Sequence, residues 1–159
     1  MAYTDTNRQQ PVSVLEVLYG HVAKREELQE ERSRDEHNRF SVFIVRLDNF
    51  SEIENQLGTE KAQEAALRIL ETLGGSIRSA DVLRVTARNE VVLLARVSKE
   101  NAPSMIERLQ MKLKDCIFEV GEELRTELSC GYATYPDDAS NSEDLLKKAY
   151  ETLVTCPSN

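Results

Sequence analysis

Two apolar segments separated by a short polar turn constrain the fold of this chain more than any other feature. Val82–Ala87 and Val91–Val97 both have the apolar, β-branched character of strands, and the trio Ala87-Arg88-Asn89 separates them. This arrangement is typical of a β-hairpin. An earlier run, Ser41–Leu47, has the pattern of a buried strand. The sequence therefore predicts an antiparallel hairpin in the middle of a sheet-forming chain.

The segments around the hairpin alternate between helical and extended patterns. Leu124–Tyr135 is predicted as one strand, and a further short strand is expected near Glu119. Such a hairpin with helices packed on one face predicts an α+β sandwich with an antiparallel, ferredoxin-like sheet. The predicted helices are a short one from Asp48–Ser51 to about Gly58, a longer one from Thr59 to Gly74-Gly75, Ala102–Phe118, and Ser142 to about Thr155.

The polar N-terminal region sets the domain organisation. Residues 1–11 are predicted to be a flexible terminus. Residues 12–39 are predicted to form a charged, solvated helix, because charges of both signs recur three and four positions apart. A short coiled coil is the alternative for this helix. Residues 40–159 are expected to form one globular domain.

The charge balance limits the class of partner. The 159 residues include 20 Lys and Arg against 28 Asp and Glu, a formal net charge of -8. Phosphate polymers and anionic membrane surfaces repel such a protein, so we expect neither nucleic acid binding nor membrane insertion. One small anionic ligand held by a few local arginines stays compatible with this charge.

The cysteines and the N-terminus bear on location and cofactors. No apolar run approaches the roughly 18 residues that span a bilayer, and the N-terminus lacks a signal-peptide pattern, so a cytoplasmic location is expected. Cys116, Cys130 and Cys156 form no CxxC pair, and the chain has only two histidines. We therefore expect no metal site and no cofactor, and each thiol is interpreted as a small core or surface residue.

The order and spacing of these elements resemble the GGDEF domain of diguanylate cyclases, which condense two GTP molecules into cyclic di-GMP on a palm-like sheet. The resemblance runs from about Glu16 to the C-terminus and implies the nucleotidyl-cyclase palm-like fold for residues 40–159, in a bacterial signalling context. The segments that carry it are Asp81–Leu94, Ser129–Ala133 followed by Tyr135-Pro136, Ser142–Ala149, and Leu18–Gly20 with Lys24-Arg25.

The signature hairpin of that family is degenerate in this chain. Its five positions are Ala87, Arg88, Asn89, Glu90 and Val91. The resemblance implies two glycines at the tip, where the backbone approaches a guanine nucleotide, and a metal-binding carboxylate at the third position. Ala87 and Arg88 add side chains there, and Asn89 is a neutral, poorer ligand for Mg²⁺.

The first strand departs from the family pattern as well. Arg46 stands where the resemblance implies the other metal ligand, while the second acidic residue of that strand survives as Asp48. Because phosphoryl transfer depends on bound metal ions, we predict that the chain is not an enzyme. Other positions implied to contact nucleotide carry Ser51, Glu54, Gln63 and Pro157.

Arg46 and Arg88 have two interpretations. They are expected to pair with Glu90 and Asp48 and so replace the lost metal charges. The alternative is that the two guanidinium groups attract an anion.

The residues Arg78-Ser-Ala-Asp81 match the motif of one ligand site of the family. In the family this RxxD motif binds cyclic di-GMP as a feedback inhibitor, and Arg108 would supply the second arginine across a possible homodimer. An arginine can bond acceptor pairs and stack on a base, and a carboxylate accepts from N–H donors. An ordinary surface pair of Arg78 at a helix end and Asp81 in a turn is the alternative.

Three functions follow from this pattern. The first is an inactive GGDEF-like domain that binds cyclic di-GMP at Arg78, Asp81 and Arg108 and signals to a protein partner. The second is a nucleotide-independent interaction or scaffold domain. The third is residual GTP binding or cyclase activity.

Overall fold

A five-stranded antiparallel sheet is the centre of the computed structural model, which describes residues 39–75, 81–121 and 123–156. Its strand order is β2-β3-β1-β6-β7, and β4 and β5 form a separate two-stranded ribbon. The strands are β1 (Phe40–Leu47), β2 (Val82–Ala87), β3 (Glu90–Ala95), β4 (Glu119–Gly121), β5 (Leu124–Arg125), β6 (Leu128–Tyr135) and β7 (Val154–Thr155). The helices are α1 (Phe50–Leu57), α2 (Thr59–Gly74), α3 (Ala102–Leu113) and α4 (Ser142–Glu151), with a 3₁₀ turn at Lys114–Cys116.

Strand β1 lies between β3 and β6 and is buried on both faces. Val45 pairs with Val91 on one side and with Cys130 on the other. Because side chains alternate along a strand, Phe43, Val45 and Leu47 pack on the same face, against α1, α2 and α3. Ile44 and its counterparts pack against α4 on the opposite face. Burial on both faces explains why the strand is apolar at every position except Ser41 and Arg46.

The predicted α+β fold and central hairpin are confirmed, but the packing of helices on one face is wrong. Helix α4 covers the second face through Leu145 and Ala149, which are completely buried. The largely apolar sequence of β1 is typical of a strand covered on both faces, but it does not show which helix covers the second face.

The predicted single strand Leu124–Tyr135 is divided into β5 and β6. At the break, the side-chain amide of Asn49 donates to the carbonyl of Arg125 at 2.7 Å and accepts from the backbone N–H of Glu127 at 3.0 Å. The Thr126 hydroxyl donates to the carbonyl of Cys116 at 2.5 Å. Side-chain hydrogen bonds thus replace the ladder at this point, and the side chain of Asn49 makes no capping hydrogen bond to α1.

Two helices end earlier than their apolar patterns predict. Helix α3 stops at Leu113 and tightens into the 3₁₀ turn, and α4 stops at Glu151, after which the chain forms β7. The side chain of Asn141 caps α4 by accepting from the N–H of Asp144 at 2.9 Å. The predicted short strand near Glu119 is confirmed as β4.

The expectations for the N-terminal region fall on residues that the structure does not describe. Residues 1–11 and the charged helix predicted over 12–39 lie outside the described segments, apart from Arg39. Arg39 pairs with Asp137 at 3.4 Å. No helix in the described part of the chain has the length and apolarity needed to cross a membrane.

The end of α4 packs directly on β6 at Gly131. A Cβ built there would lie 2.6 Å from the carbonyl oxygen of Ala149 and 2.9 Å from the backbone nitrogen of Leu153. The hydroxyl of Thr152 reinforces this contact by accepting from the N–H of Tyr132 at 2.8 Å and donating to its carbonyl at 3.0 Å. A residue without a side chain is therefore required where the helix meets the strand.

We predict that Gly131→Ala lowers the free energy of unfolding by about 1–3 kcal/mol, because backbone atoms cannot yield to the added methyl group. The measurement is urea unfolding followed by circular dichroism. Gly74→Ala is the matched control, because a Cβ there meets nothing within 4 Å and alanine favours helix. Equal stability of the two variants would contradict the prediction.

Candidate functional site

The tip of the β2–β3 hairpin is attached to the end of β1. Ala87 pairs with Glu90, so Arg88 and Asn89 form the turn. The backbone N–H of Leu47 donates to the carbonyl of Asn89 at 2.8 Å, and the Asn89 side-chain amide donates back to the carbonyl of Leu47 at 3.0 Å. These two bonds fix the hairpin tip over the C-terminal end of the central strand.

Arg88 connects the hairpin tip to α1. Its guanidinium group donates to Glu54 and lies 4.7 Å from the centre of the Phe50 ring. The Thr59 hydroxyl donates to the same carboxylate oxygen at 3.1 Å. The hydrogen bond from Arg88 is the main cause that lowers the pKa of Glu54. The side chain of Arg88 therefore occupies the space between the hairpin tip and α1.

Arg46 lies in the sheet register between Glu90 of β3 and Ser129 of β6. Its Nε donates to Asp48 Oδ1 at 3.0 Å. The hydroxyl of Ser129 donates to the other carboxylate oxygen of Asp48. Both oxygens of the Asp48 carboxylate thus accept a hydrogen bond, and one of the two donors is the cationic guanidinium group of Arg46.

Glu90 is a buried carboxylate, 9% exposed, with two hydroxyl donors. Thr86 Oγ1 donates to its Oε1 at 2.7 Å and the Tyr150 hydroxyl donates to the same atom at 2.6 Å. Burial first, and then this hydrogen bond to Glu90, raises the pKa of Tyr150 well above its ordinary value. A hydrogen-bonded carboxylate is tolerated in such a place, whereas an unpartnered one would be costly.

The expected pairing of the two arginines is half right. Arg46 does pair with Asp48, but Arg88 pairs with Glu54 and not with Glu90. The register places Glu90 toward α4, on the same face as Arg46, whereas Arg88 at the turn reaches α1 on the other face. Glu90 is instead held by Thr86 and Tyr150.

Sequence reasoning missed Tyr150 and Thr86 as partners of Glu90. Tyr150 does fall at helical spacing from Leu146 and next to the buried Ala149, which predicts that it faces the sheet. Its partner depends on which strand α4 crosses, and no local pattern encodes that crossing.

The residues of the expected ligand site are described only in part. Asp81 is half-buried and directly precedes β2, and Arg108 is exposed on α3. Arg78 lies outside the described residues, so its position relative to Asp81 is a prediction from the sequence. Within residues 39–75, 81–121 and 123–156, no group of three or more His, Cys, Asp or Glu is arranged to hold a metal ion.

Solved structures share this fold at low sequence identity. The GGDEF domain of DgcB from Caulobacter crescentus, in complex with cyclic di-GMP, matches with a TM-score of 0.67 and 12% identity, covering 86% of this chain and 77% of that one. The diguanylate cyclase SiaD of Pseudomonas aeruginosa, in complex with its activator SiaC, also has a TM-score of 0.67, at 15% identity over 87% of this chain and 52% of that one.

Sequence comparison leads to the same group of proteins. The cyclic di-GMP phosphodiesterase NbdA of Pseudomonas aeruginosa is 29% identical over 110 residues, which are 69% of this chain and 14% of that protein. The chain thus spans only a small part of this relative. The model of the family "Diguanylate cyclase, GGDEF domain" matches residues 14–156. The chain therefore belongs to the GGDEF family, the diguanylate cyclase family of cyclic di-GMP signalling.

Proposed function

We propose that this GGDEF domain does not condense GTP and that it binds cyclic di-GMP as a signalling module. The main support for the proposed loss of catalysis is the direct contact of Arg46 with Asp48 at the end of β1. The family resemblance assigns a metal ligand to the position of Arg46. A guanidinium at that place repels a divalent cation and occupies the neighbouring carboxylate.

The hairpin tip supports the same conclusion. The resemblance assigns a metal-binding carboxylate to the position of Asn89. The side-chain amide of Asn89 instead donates a hydrogen bond to the carbonyl of Leu47. The resemblance assigns two glycines to the positions of Ala87 and Arg88, and Arg88 crosses to Glu54 and Phe50. A nucleotide approaching the backbone here would have to displace a cation from both a carboxylate and a ring.

The retained RxxD motif supports binding of the dinucleotide. Arg78 and Asp81 provide a guanidinium for phosphate or guanine acceptors and a carboxylate for guanine N–H donors. Arg108, exposed on α3, is the proposed second cation, supplied across a homodimer. The DgcB domain, which shares this fold, is a cyclic di-GMP complex. Local arginines would hold the dinucleotide against the overall negative charge of the chain.

The first prediction concerns catalysis. The chain incubated with GTP and Mg²⁺ or Mn²⁺ should form no cyclic di-GMP, because a site without two metal ligands cannot neutralise the charge of phosphoryl transfer. Product is measured by liquid chromatography and mass spectrometry, with an active GGDEF domain as the positive control. Turnover above the protein-free background would refute the loss of catalysis and favour residual cyclase activity.

The second prediction concerns the ligand. Calorimetric titration with cyclic di-GMP should give saturable binding, and Arg78→Ala and Asp81→Asn should each weaken it by about 10- to 100-fold, since hydrogen bonds to charged groups are worth about 1.5–3 kcal/mol. Arg84→Ala is the charge-matched control, because Arg84 is exposed on β2 and donates to the carbonyl of Leu83.

Two outcomes would reject this ligand assignment. One is absence of binding by a wild-type chain whose circular dichroism shows that it is folded. The other is equal affinity of the wild type, Arg78→Ala and Arg84→Ala. Either result would leave the nucleotide-independent interaction domain as the function, with a protein partner as SiaC is for SiaD.

A further inference from the structure

Two cysteine side chains that are far apart in sequence meet in the sheet. Cys130 of β6 and Cys156, which follows β7, are both buried, and their Sγ atoms lie 2.8 Å apart. A disulfide bond is about 2.05 Å long, so closing it requires a movement of less than about 1 Å. The third thiol, Cys116, is buried elsewhere, against the hydroxyl of Thr72 at 3.3 Å.

The register of the two C-terminal strands causes this contact. Cys130 pairs with Val154, and the backbone N–H of Cys156 donates to the carbonyl of Leu128 at 2.7 Å. Cys156 is two residues beyond Val154, and Leu128 is two residues before Cys130. The two cysteines are therefore diagonal neighbours on one face of the sheet, where side chains are within reach of each other.

We propose that Cys130 and Cys156 form a reversible dithiol–disulfide pair that is oxidised by low-molecular-weight disulfides. This modification site is independent of the proposed loss of catalysis and of ligand binding. It stands on the burial, the separation and the strand register of the two thiols.

The hydrogen bond between the thiols assigns their roles. The two thiols share one hydrogen bond in which either can donate, and this contact lowers the pKa of Cys156, whereas the same contact together with burial raises the pKa of Cys130. The Cys156 thiolate is then the attacking group. It bonds to one sulfur of the small disulfide, and the other sulfur leaves as a thiolate that takes up the proton Cys156 released.

The second step closes the pair. Cys130 loses its proton and its sulfur attacks Cys156 Sγ, releasing the second small thiol. In sum, two protein thiols are oxidised and one small disulfide is reduced to two thiols. Access comes from β7, which is two residues long at the edge of the sheet, with Val154 58% exposed. A short edge strand opens at low free-energy cost.

Closure would join β6 to the C-terminal end across a separation of 26 residues that includes α4. A disulfide that closes a loop of this size lowers the conformational entropy of the unfolded chain and so stabilises the folded state. For a domain of this size, the expected rise in Tm is roughly 6–12 °C. The bond would hold β7 on the sheet and keep α4 against its second face.

The test uses the folded chain, equilibrated near neutral pH with mixtures of glutathione and glutathione disulfide, quenched with acid, alkylated and digested with trypsin. The three cysteines fall in separate tryptic peptides, 115–125, 126–147 and 149–159. We expect peptides 126–147 and 149–159 to be joined, with Cys116 alkylated. The proposal would be overturned if Cys130 and Cys156 were found alkylated or joined only to glutathione. It would also be overturned if the folded chain gave the same mixture of pairings, including pairs with Cys116, as the chain unfolded in guanidinium.

Variants separate the pair from general oxidation. Cys116→Ala retains both partners, and its Tm should rise by roughly 6–12 °C in the oxidising mixture. Cys156→Ser should show no such shift, because Cys130 then has no partner thiol. Absence of the shift in Cys116→Ala, or its persistence in Cys156→Ser, would overturn the proposal.

Discussion

Strand β1 pairs with β3 on one side and with β6 on the other, and this pairing positions the side chains at the end of the sheet. This register brings Arg46 level with Glu90 and Ser129, and it places the end of β1 beneath the hairpin tip. Residues that are more than 80 positions apart in sequence, such as Asp48 and Ser129, become hydrogen-bond partners through it. A slip of one residue would turn every one of these side chains to the opposite face.

The same register explains how the acidic groups at this end of the sheet are held. Asp48, Glu54 and Glu90 each have a hydrogen-bond donor within the domain: the first two have an arginine and a hydroxyl, and the third has two hydroxyls. The partly exposed ion pairs of Asp48 and Glu54 contribute little to the free energy of unfolding. Under the proposed function, Arg46 and Arg88 would compete with a divalent cation for the carboxylates of Asp48 and Glu54.

Much of the fold is readable from the sequence, because the hairpin, the buried strand and the helical stripes are local patterns. The break near Thr126 is not, since it arises from Asn49 and Cys116, which are distant in sequence. For the site, the pairing of Arg46 with Asp48 is local, since the two residues are two positions apart at the end of β1. The partner of Arg88 depends instead on which face of the sheet α1 covers. Arg78 falls outside the described residues, and the ligand site formed by Arg78, Asp81 and Arg108 stays a prediction as a whole.

The two faces of the sheet are covered by different numbers of helices, and this difference affects how the chain folds during synthesis on the ribosome. Of the described helices, three cover one face and α4 alone covers the other. A ribosome releases the chain from its N-terminus, so β1, β3 and α1 to α3 are available well before residues 142–151. Until α4 emerges, the described segments offer no helix to cover Val42, Ile44 and Val92. Helix α4 therefore completes the described core, and until it emerges the uncovered second face exposes apolar side chains that are prone to aggregation.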